Sequence, residues 1–449
     1  MKLQTKWRIP MQVDGRTESD TQSIAKKLQA TIGEVAVDRV ARECGFAQRK
    51  RDVTPLALLV ACISTLVASQ ARWLADILRT FNRFTGKAVE YKPFHNQLAK
   101  ESFPEFIRLV LEEALGQLTM PVLTSVPHDK ISIFKDIVLQ DGSSMAVKDS
   151  LAGHWPGRFR KVSPAAVELH VTMSGLKDNP ISITLTADKE SERAEAPAPA
   201  DLEGCLLLED RGYQSRQVFK SIDQHGGFFI VRGTKNIRPT IRRAYDVRGR
   251  RLRQLEGKRL SWKRLPRNTR DLDIEWGSAR DVYRGRVVVF HRRGKRNQKT
   301  FTYLHTNLAR KLFSAVEVGQ LYRLRWQVEL LFKEWKSHAN LHRFDTSKAP
   351  IAEGLIWASL LATLLTRAIT HAAERLLGVE MSTQRVAASA RHFLDSILES
   401  LLSGGRTLRR VLKEAFAYLN DNARRAHPER DRRKGRLATG LRPTAVLKN

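Results

Sequence analysis

Two different spacings of apolar residues follow one another along this chain of 449 residues. Up to about residue 125, and again from residue 351, apolar side chains recur every three or four positions, which is the spacing of amphipathic helices. Between residues 131 and 307 they form short runs rich in Val, Ile and Phe, bounded by Gly, Pro and charged residues, as strands are. The pattern therefore predicts a mixed α/β protein with helical regions at both ends.

The N-terminal region is predicted to be a series of helices. They are expected over residues 23–44, 55–70, 70–82, 91–98 and 103–115. Two of the short helices flank the turn at Gly86, which favours a helix-turn-helix DNA reader, although a plain helical bundle has the same signature. The longest apolar run, from Pro55 to Ala68, is too short to span a bilayer and predicts a buried helix instead.

The central region predicts a sheet. Strands are expected over residues 131–139, 165–173, 181–186, 206–208 and 227–232, with a helix over 214–225. Strands that are first antiparallel and then alternate with a helix are typical of a ribonuclease H-like sheet. Another strand is predicted over 301–307, and a long apolar helix over 351–377.

The segment from Arg232 to Lys299 is the most basic part of the chain. It holds 23 Lys and Arg residues against 6 Asp and Glu, so 17 of the 31 net positive charges fall within it. Cations at this density repel one another, and a DNA backbone relieves that repulsion, whereas a solvated loop does not. We therefore predict a β-rich insertion that grips DNA. Its DNA-binding candidates are Arg242, Arg243, Arg250 and Arg251.

The composition of the whole chain points to the same partner. Lys and Arg number 78 against 47 Asp and Glu, and the net charge of +31 indicates a polyanion, with nucleic acid ahead of anionic membrane. The three cysteines, Cys44, Cys62 and Cys205, lie far apart and predict neither a disulfide framework nor a Cys-based zinc site. The N-terminal residues lack the apolar core of a signal peptide. We therefore expect a cytoplasmic, nucleoid-associated protein that binds double-stranded DNA and no membrane.

One stretch, LYRLRWQVELLFKEWK at residues 321–336, carries the strongest chemical signal. It contains neither Gly nor Pro, and it predicts one continuous helix. One arc of about 60° on that helix holds Tyr322, Arg325, Glu329 and Lys336. The apolar face comprises Leu324, Val328, Leu331, Phe332 and Trp335. A carboxylate flanked by two cations and a phenol suits a metal ion and phosphate oxygens, although such stripes also occur on solvated amphipathic helices.

The spacing Tyr-x2-Arg-x3-Glu-x6-Lys resembles the box of DDE transposases of the insertion sequence 4 family. The neighbouring residues Trp326, Val328 and Phe332 agree with that box. The fold that the resemblance implies is α/β, with a ribonuclease H-like catalytic core. Together with the pattern along the chain, it leads us to expect an N-terminal helical DNA-binding domain over 1–125, a ribonuclease H-like DDE catalytic domain over 126–234 and 300–378, the basic β-rich insertion over 235–299, and a C-terminal helical basic region over 379–449.

Two further carboxylates are needed beside Glu329, because phosphoryl chemistry with two metal ions uses hard oxygen ligands on rigid elements. The candidates are Asp141, which opens DGSS at the end of a predicted strand, and Asp210, which ends LLLED. Open α/β sheets place their sites at such strand ends. Both segments also resemble family positions, and a β insertion before the Glu is a family habit.

The residues alone leave rivals for each carboxylate. They are Asp136 and Asp149 for the first Asp, Glu209 for the second, and Glu334 for Glu329. Glu334 falls at about 120° on the helical wheel, away from the polar stripe, so geometry favours Glu329. The histidines that we considered as metal ligands show no zinc-binding spacing; they are His154, His170, His338 and His342.

The resemblance also implies a mechanism. Such enzymes hold Mg²⁺ on the three carboxylates, as two ions for which Mn²⁺ can substitute. A water cleaves the phosphodiester at the transposon end, and the freed 3′-OH attacks target DNA within a paired-end complex of a homodimer. The implied catalytic and metal-binding residues are Asp141, Asp210 and Glu329, and the implied phosphate contacts are Tyr322, Arg325 and Lys336.

The sequence departs from the family pattern at one position, and two other functions stay open. In some relatives the second strand is cut through a hairpin, with a flipped base stacked on a Trp in the strand before the box; Thr302 stands there in this chain, so the hairpin route is left open. The other functions are a non-catalytic DNA-binding protein, such as a domesticated transposase, and a ribonuclease H-fold nuclease. The complete carboxylate set argues against the first, and the box and basic insertion argue against the second.

Overall fold

The structure is a computed structural model of the chain. It describes residues 15–49, 51–67, 73–118, 130–159, 161–190, 192–234, 236–261, 265–278, 281–293, 299–339 and 346–427. These residues fall into two compact units. The helical unit contains the described residues up to 118 and those from 350 to 426, and the sheet unit contains those from 130 to 337.

Helices and strands follow one another in the order that the apolar pattern predicts. The helices are α1 (Gly15–Ile32), α2 (Glu34–Glu43), α3 (Pro55–Val67), α4 (Leu74–Thr85), α5 (Tyr91–Leu98), α6 (Ser102–Gln117), α7 (Arg216–Gln224), α8 (Ala315–Arg323), α9 (Trp326–Ala339), α10 (Ala349–Leu377), α11 (Thr383–Leu402) and α12 (Leu408–Ala423). The strands are β1 (Ile137–Ala146), β2 (Ala166–Ser174), β3 (Asn179–Ala187), β4 (Leu206–Glu209), β5 (Phe228–Arg232), β6 (Thr240–Asp246), β7 (Thr269–Ser278), β8 (Asp281–Arg293) and β9 (Lys299–Thr306).

The helical unit differs from the sequence prediction at Gly33. We predicted one helix over 23–44, but α1 ends at Ile32 and α2 begins at Glu34. The carbonyl oxygen of Gln29 lies so close to Gly33 that an added Cβ would be 2.2 Å from it. A residue with a side chain could not occupy this position, so the break depends on glycine.

Helix α10 belongs to the helical unit from residue 350 onward, although we assigned residues 300–378 to the catalytic domain. An added Cβ on Gly354 of α10 would lie 2.2 Å from the ring of Phe103 on α6, so the two helices pack closely. Helix α10 is long and apolar enough to cross a membrane by length and composition, but 78% of its apolar window is buried inside the protein. The four domain boundaries stay predictions.

The described strands form one nine-stranded sheet in the order β3-β2-β1-β4-β5-β9-β8-β7-β6. Strands β1, β2 and β3 pair antiparallel, while β4 pairs parallel with both β1 and β5. Helix α7 connects the parallel strands β4 and β5. Three antiparallel strands followed by parallel strands joined by a helix confirm the predicted ribonuclease H-like core.

The basic insertion continues this sheet. Strand β9 pairs with β5 at one edge and with β8 at the other, and β7 and β6 follow beyond β8. The insertion is therefore β-rich, as predicted, but it extends the central sheet through β9. Its interior is a cluster of buried side chains from four strands, including Leu272, Val287 and Tyr303.

The first strand begins later than predicted. We expected a strand over 131–139, but residues 130–133 form a short 3₁₀ helix and β1 starts at Ile137. Asp136, which we placed within a strand, precedes β1. Its carboxylate accepts hydrogen bonds from the backbone N–H of Ile137 at 2.7 Å and from the hydroxyl of Ser174 at 2.9 Å. Asp136 thus stabilises the start of β1, a structural role that differs from the one considered for it as a metal ligand.

The predicted continuous helix over residues 321–336 is wrong at Leu324 and Arg325, which form a turn between α8 and α9. The backbone N–H of Arg325 bonds the carbonyl of Tyr322 at 3.2 Å, a tighter spacing than that of an α-helix. The apolar face of the stretch is nevertheless buried as predicted, from Leu324 through to Trp335. The break tightens the chain locally without turning this face away from the core.

Candidate active site

The two aspartates are brought together by the register of the parallel strands. Residues Ile137 to Gln140 of β1 pair with Leu206 to Glu209 of β4. Asp141 and Asp210 are the next residue on each strand, so they lie side by side at the carboxyl edge of the parallel pair, where neighbouring strands are about 4.8 Å apart.

We predicted that Asp141 ends its strand, and this is wrong. β1 continues through residues 142–146, and it does so by pairing with β2 alone. Asp141 itself lies opposite Val171 of β2. The site therefore lies at a step in the sheet, where β4 ends and β1 runs on.

Arg325, in the turn between α8 and α9, connects the box to this edge of the sheet. Its guanidinium donates a hydrogen bond to Oδ2 of Asp141 at 3.0 Å and forms a second ion pair with Oε1 of Glu329. The guanidinium-bearing side chain is 10% exposed. All three predicted carboxylates therefore belong to one cluster, with Arg325 bound to two of them.

The third carboxylate, Asp210, is held by two other groups. The Tyr322 hydroxyl and the Arg232 guanidinium each lie 3.4 Å from its Oδ1 atom. The ring of Tyr322 also lies beside Arg325, with 5.7 Å between the ring centroid and the guanidinium carbon. Tyr322 therefore connects Asp210 with the Arg325 cluster.

We did not predict that Arg232 would belong to this cluster. It is the last residue of β5, which runs parallel to β4, and its end therefore reaches the same edge of the sheet as Asp210. The rule that selected Asp210, a polar residue at the end of a buried parallel strand, would also have selected Arg232.

Helix α8 is fixed at its start by a capping box. The Ser314 side chain accepts a hydrogen bond from the backbone N–H of Glu317, and the Glu317 carboxylate accepts one from the Ser314 N–H at 2.7 Å. This arrangement satisfies donors at the helix N-terminus. It also sets where the helix begins; Tyr322 is the next-to-last residue of that helix.

Lys336 lies on α9, two turns beyond Glu329. Its ammonium group donates a hydrogen bond to the carbonyl of Ser144 at 2.8 Å, on the part of β1 that runs past Asp141. The structure thus brings Lys336 beside the cluster, at its edge, while its role as a phosphate contact stays a prediction.

Burial dominates the electrostatics of the cluster. Burial raises the pKa of Asp141 to about 6; the positive charge of Arg325 works against that rise, and the negative charges of Asp210 and Glu329 add to it. Burial also raises the pKa of the Tyr322 phenol. Burial would lower the pKa of Arg325, but Tyr322, Asp141 and Glu329 outweigh it and raise that pKa. The guanidinium therefore stays charged at the centre of the carboxylates.

The rival residues lie in other environments. Glu209 is fully buried, and burial raises its pKa to about 8, so it is largely neutral at pH 7. It precedes Asp210 on the same strand and therefore faces the other side of the sheet. Asp149 is exposed in a short 3₁₀ helix after β1. Of the histidines, His170 is buried and its ring bonds the hydroxyl of Thr186, while His342 lies outside the described residues.

The donor chemistry of the cluster suits a divalent metal ion, since three carboxylates offer hard oxygen ligands. The arrangement of these side chains in the structure does not suit such an ion. Within the part of the chain that the structure describes, no group of three or more His, Cys, Asp or Glu side chains is arranged to hold a metal ion. Arg325 is bound to Asp141 and Glu329 instead, so the residues as they stand do not fit the ion.

The insertion arginines have more counter-charges than we predicted. Three of the four candidates lie in ion pairs: Arg242 with Glu275, Arg250 with Asp246, and Arg251 with Glu256. The fourth, Arg243, is exposed on β6. The three guanidinium groups are exposed, although the Asp246 carboxylate is buried, so solvent screens these pairs and a phosphate can compete for the guanidinium groups.

Thr302 lies on β9, opposite Phe290 of β8. Its side chain offers no ring on which a base could stack. Of its neighbours, Tyr303 is buried in the core of the insertion, while the Phe301 ring contacts His291, with 4.6 Å between the ring centroids. The position before the box therefore provides no stacking surface of its own.

Comparisons with known proteins identify the family of the chain. A family model described as the transposase DDE domain matches residues 132–365. The chain is similar to the transposase for insertion sequence element IS231C of Bacillus thuringiensis subsp. berliner, at 20% identity over 91% of this chain and 93% of the relative. It is also similar to the transposase for IS1151 of Clostridium perfringens, at 19% identity over 88% of this chain and 91% of the relative. Among solved structures, the cryo-EM structure of the piggyBac transposase synaptic complex with hairpin DNA has a TM-score of 0.45 and 12% identity, covering 89% of this chain and 85% of that one.

Proposed function

This chain belongs to the family of transposase DDE domains, and from that membership we propose that Asp141, Asp210 and Glu329 are the carboxylates of its DNA-cleaving site. The protein is a DNA transposase. The finer proposal is that it binds the inverted-repeat ends of an insertion sequence, cleaves them by metal-dependent hydrolysis and transfers the 3′ ends into target DNA.

One observation carries this proposal. Asp141 and Asp210 lie at the same edge of two parallel strands, and Arg325, in the turn before α9 and 184 residues after Asp141, ties Glu329 to Asp141. Carboxylates that converge from separate elements in a partly buried cluster, where burial raises the pKa of Asp141, form a candidate reactive centre.

The cations around the carboxylates suit the substrate. Arg232, Arg325 and Lys336 come from three elements and surround the same edge of the sheet. We propose that they bind the phosphates on either side of the cut, with Tyr322 donating a hydrogen bond to one of them. Charge-assisted hydrogen bonds to phosphate oxygens are the contacts that position a DNA backbone.

The family depends on divalent metal ions. We propose Mg²⁺ for this chain, as two ions for which Mn²⁺ can substitute. The ligands would be Asp141, Asp210 and Glu329, once their oxygens are released from the groups that now bind them.

The test of the function is a cleavage and joining assay with the full chain and Mg²⁺. Its substrates are duplexes copied from the two ends of the DNA segment that encodes the chain, together with a supercoiled target plasmid. We expect nicks at the segment ends and joining of the 3′ ends to the plasmid. Cleavage without joining would indicate a nuclease, and binding without cleavage would indicate a non-catalytic DNA-binding protein.

The basic insertion should control how DNA affinity depends on salt. We expect the combined replacement of Arg242, Arg243, Arg250 and Arg251 with Gln to weaken DNA binding. It should also flatten the plot of log affinity against log salt, by about 0.9 for each lost phosphate contact. Fluorescence anisotropy at several salt concentrations measures this slope.

Replacement of Glu256 is the matched control for that experiment. Glu256 binds Arg251 at 2.7 Å, so Glu256→Gln releases a cation without removing one. We expect the slope to be unchanged or steeper in this variant. A folded four-fold variant with the wild-type slope would show that the insertion does not contact DNA.

The active assembly is expected to be a homodimer on two DNA ends, because two ends must be joined to one target. Light scattering with end duplexes should give a particle of two chains and two duplexes. Cleavage-competent particles with one chain and one duplex would contradict this expectation.

A further inference from the structure

Every predicted metal ligand is already engaged by a group of the chain itself. For Asp141, Oδ2 accepts a hydrogen bond from Arg325 at 3.0 Å, and Oδ1 accepts one from the backbone N–H of Gly142 at 3.1 Å. Glu329 is paired through Oε1 with the same Arg325. Asp210 faces the Tyr322 hydroxyl and Arg232 through its Oδ1 atom. A metal ion that binds Asp141 through either oxygen would have to compete with one of these groups.

Arg325 is the main obstacle, because a guanidinium and a metal ion want the same oxygens. A Mg²⁺ ion binds carboxylate oxygens at about 2.0–2.1 Å and carries two positive charges. The guanidinium already lies between Asp141 and Glu329, in a site where little water is left to screen repulsion between cations. Arg325 and the ion therefore exclude each other at these two carboxylates.

The guanidinium is also bound incompletely. Its Nε atom is buried and has no hydrogen-bond partner among the described residues. A buried donor without a partner costs free energy, and a group that can satisfy it will be preferred. A phosphate offers several acceptor oxygens in the geometry that a guanidinium binds in a bidentate manner.

We propose that Arg325 is an internal counter-ion, which holds Asp141 and Glu329 until a DNA phosphate takes over its guanidinium and leaves the carboxylates to the metal ion. This proposal rests on the proposed function, since it concerns the same site. It makes metal binding and DNA binding cooperative, because each releases the partner that the other needs. In the absence of DNA, the site would bind divalent metal weakly and remain inactive.

The test measures metal affinity directly, without any reaction. Mn²⁺ is titrated into the full chain without DNA, and the free ion is followed by electron paramagnetic resonance. We expect Arg325→Gln to bind Mn²⁺ about tenfold more tightly or better than the wild type, since a neighbouring charge shifts such equilibria by one to three powers of ten. Unchanged or weaker binding would overturn the proposal, because Arg325 would then be a support for the carboxylates and no competitor.

Two further variants serve as controls for this comparison. Arg323→Gln removes the same charge from an exposed residue two positions earlier, and it should leave Mn²⁺ affinity unchanged. An equal gain in that variant would reject a local effect. Arg325→Lys keeps the charge but has one nitrogen in place of the two that bind Asp141 and Glu329, so its affinity should lie between those of wild type and Arg325→Gln. It decides the question if a thermal melt shows that Arg325→Gln is unfolded: tighter binding supports the proposal, and equal or weaker binding overturns it.

Adding DNA tests the cooperativity. The end duplexes should raise the Mn²⁺ affinity of the wild type but not that of Arg325→Gln, in which the counter-ion is already gone. An equal rise in both proteins would show that the coupling does not pass through Arg325.

The proposed function can fail separately from this coupling. If Asp141→Asn leaves Mn²⁺ binding of the Arg325→Gln protein unchanged, the carboxylates are not the metal site, and the proposed function is wrong. If Asp141→Asn abolishes that binding while Arg325→Gln brings no gain, the metal site is right and the counter-ion proposal alone is overturned.

Discussion

We expect Asp141→Asn, Asp210→Asn and Glu329→Gln each to abolish strand cleavage at the DNA ends while the protein still binds them. Each change keeps the shape of the side chain and removes one negatively charged oxygen ligand. Loss of a single group that stabilises charge at a reacting centre lowers rates by about a hundredfold to a thousandfold, and loss of a metal ligand should lower them at least as much. Cleavage of labelled end duplexes over time measures the effect.

DNA binding should survive in all three variants, because the phosphate contacts come from cations on other residues. Affinity should even rise slightly, since one negative charge next to the phosphate is removed. Gel shift at fixed salt separates this outcome from unfolding, in which binding and cleavage would be lost together.

Two carboxylates beside the site serve as controls. Asp149→Asn changes an exposed residue of the loop after β1, and Glu334→Gln changes the other nearby Glu of α9. Both should cleave at nearly the wild-type rate. If Glu334→Gln abolished cleavage and Glu329→Gln did not, the assignment of the box would be wrong; if all three main variants still cut, the protein would not be a DDE enzyme.

Replacement of Arg286 should cause the largest loss of stability. Its guanidinium is buried and binds the carboxylate of Asp271 on β7 at 2.7 and 2.9 Å. It also donates hydrogen bonds to the carbonyls of Leu308 at 2.9 Å and Phe313 at 2.8 Å. We expect Arg286→Leu to lower the free energy of unfolding by about 3 kcal/mol or more, because it leaves a buried carboxylate and two buried carbonyls without this partner.

Arg310 moderates this loss, since it also binds Asp271, at 3.1 Å. The matched control is Arg284→Leu, two residues earlier on β8. Arg284 is exposed and pairs with Glu275, and exposed pairs contribute little, so its melting temperature should stay near that of wild type. Equal melting temperatures for the two variants would show that the buried network does not support the fold.

The same network links the insertion to the candidate active site. Leu308 and Phe313 lie in the segment that leads into α8, and Gly319 of α8 lies so close to Phe290 of β8 that an added Cβ would be 2.4 Å from its ring. Helix α8 carries Tyr322. The insertion strands therefore pack against α8, which carries Tyr322 of the box. This contact is separate from the DNA contacts proposed for their arginines.

The helices and strands, and the reactive residues on them, could be predicted largely from the amino-acid sequence. Short apolar runs predicted the strands that lead to Asp141 and Asp210, because a strand buried on both faces leaves a continuous run of apolar residues, but the bounds of β1 were shifted by several residues. The box around Glu329 identified the family, and the positive charge of the chain indicated a polyanion, with nucleic acid as the first candidate. These features are local or compositional, so no knowledge of the packing was needed.

How these residues come together could not be predicted without the three-dimensional packing. The turn at Leu324 and Arg325 has no Gly or Pro to mark it, and the contact from Arg325 to Asp141 spans 184 residues. Arg232 joins the site because β5 lies beside β4. The insertion extends the central sheet, which depends on the pairing of β9 with β5. Contacts of this kind depend on strand register and on the packing of helices on the sheet. They therefore cannot be predicted from the pattern of residues that are close together in the sequence.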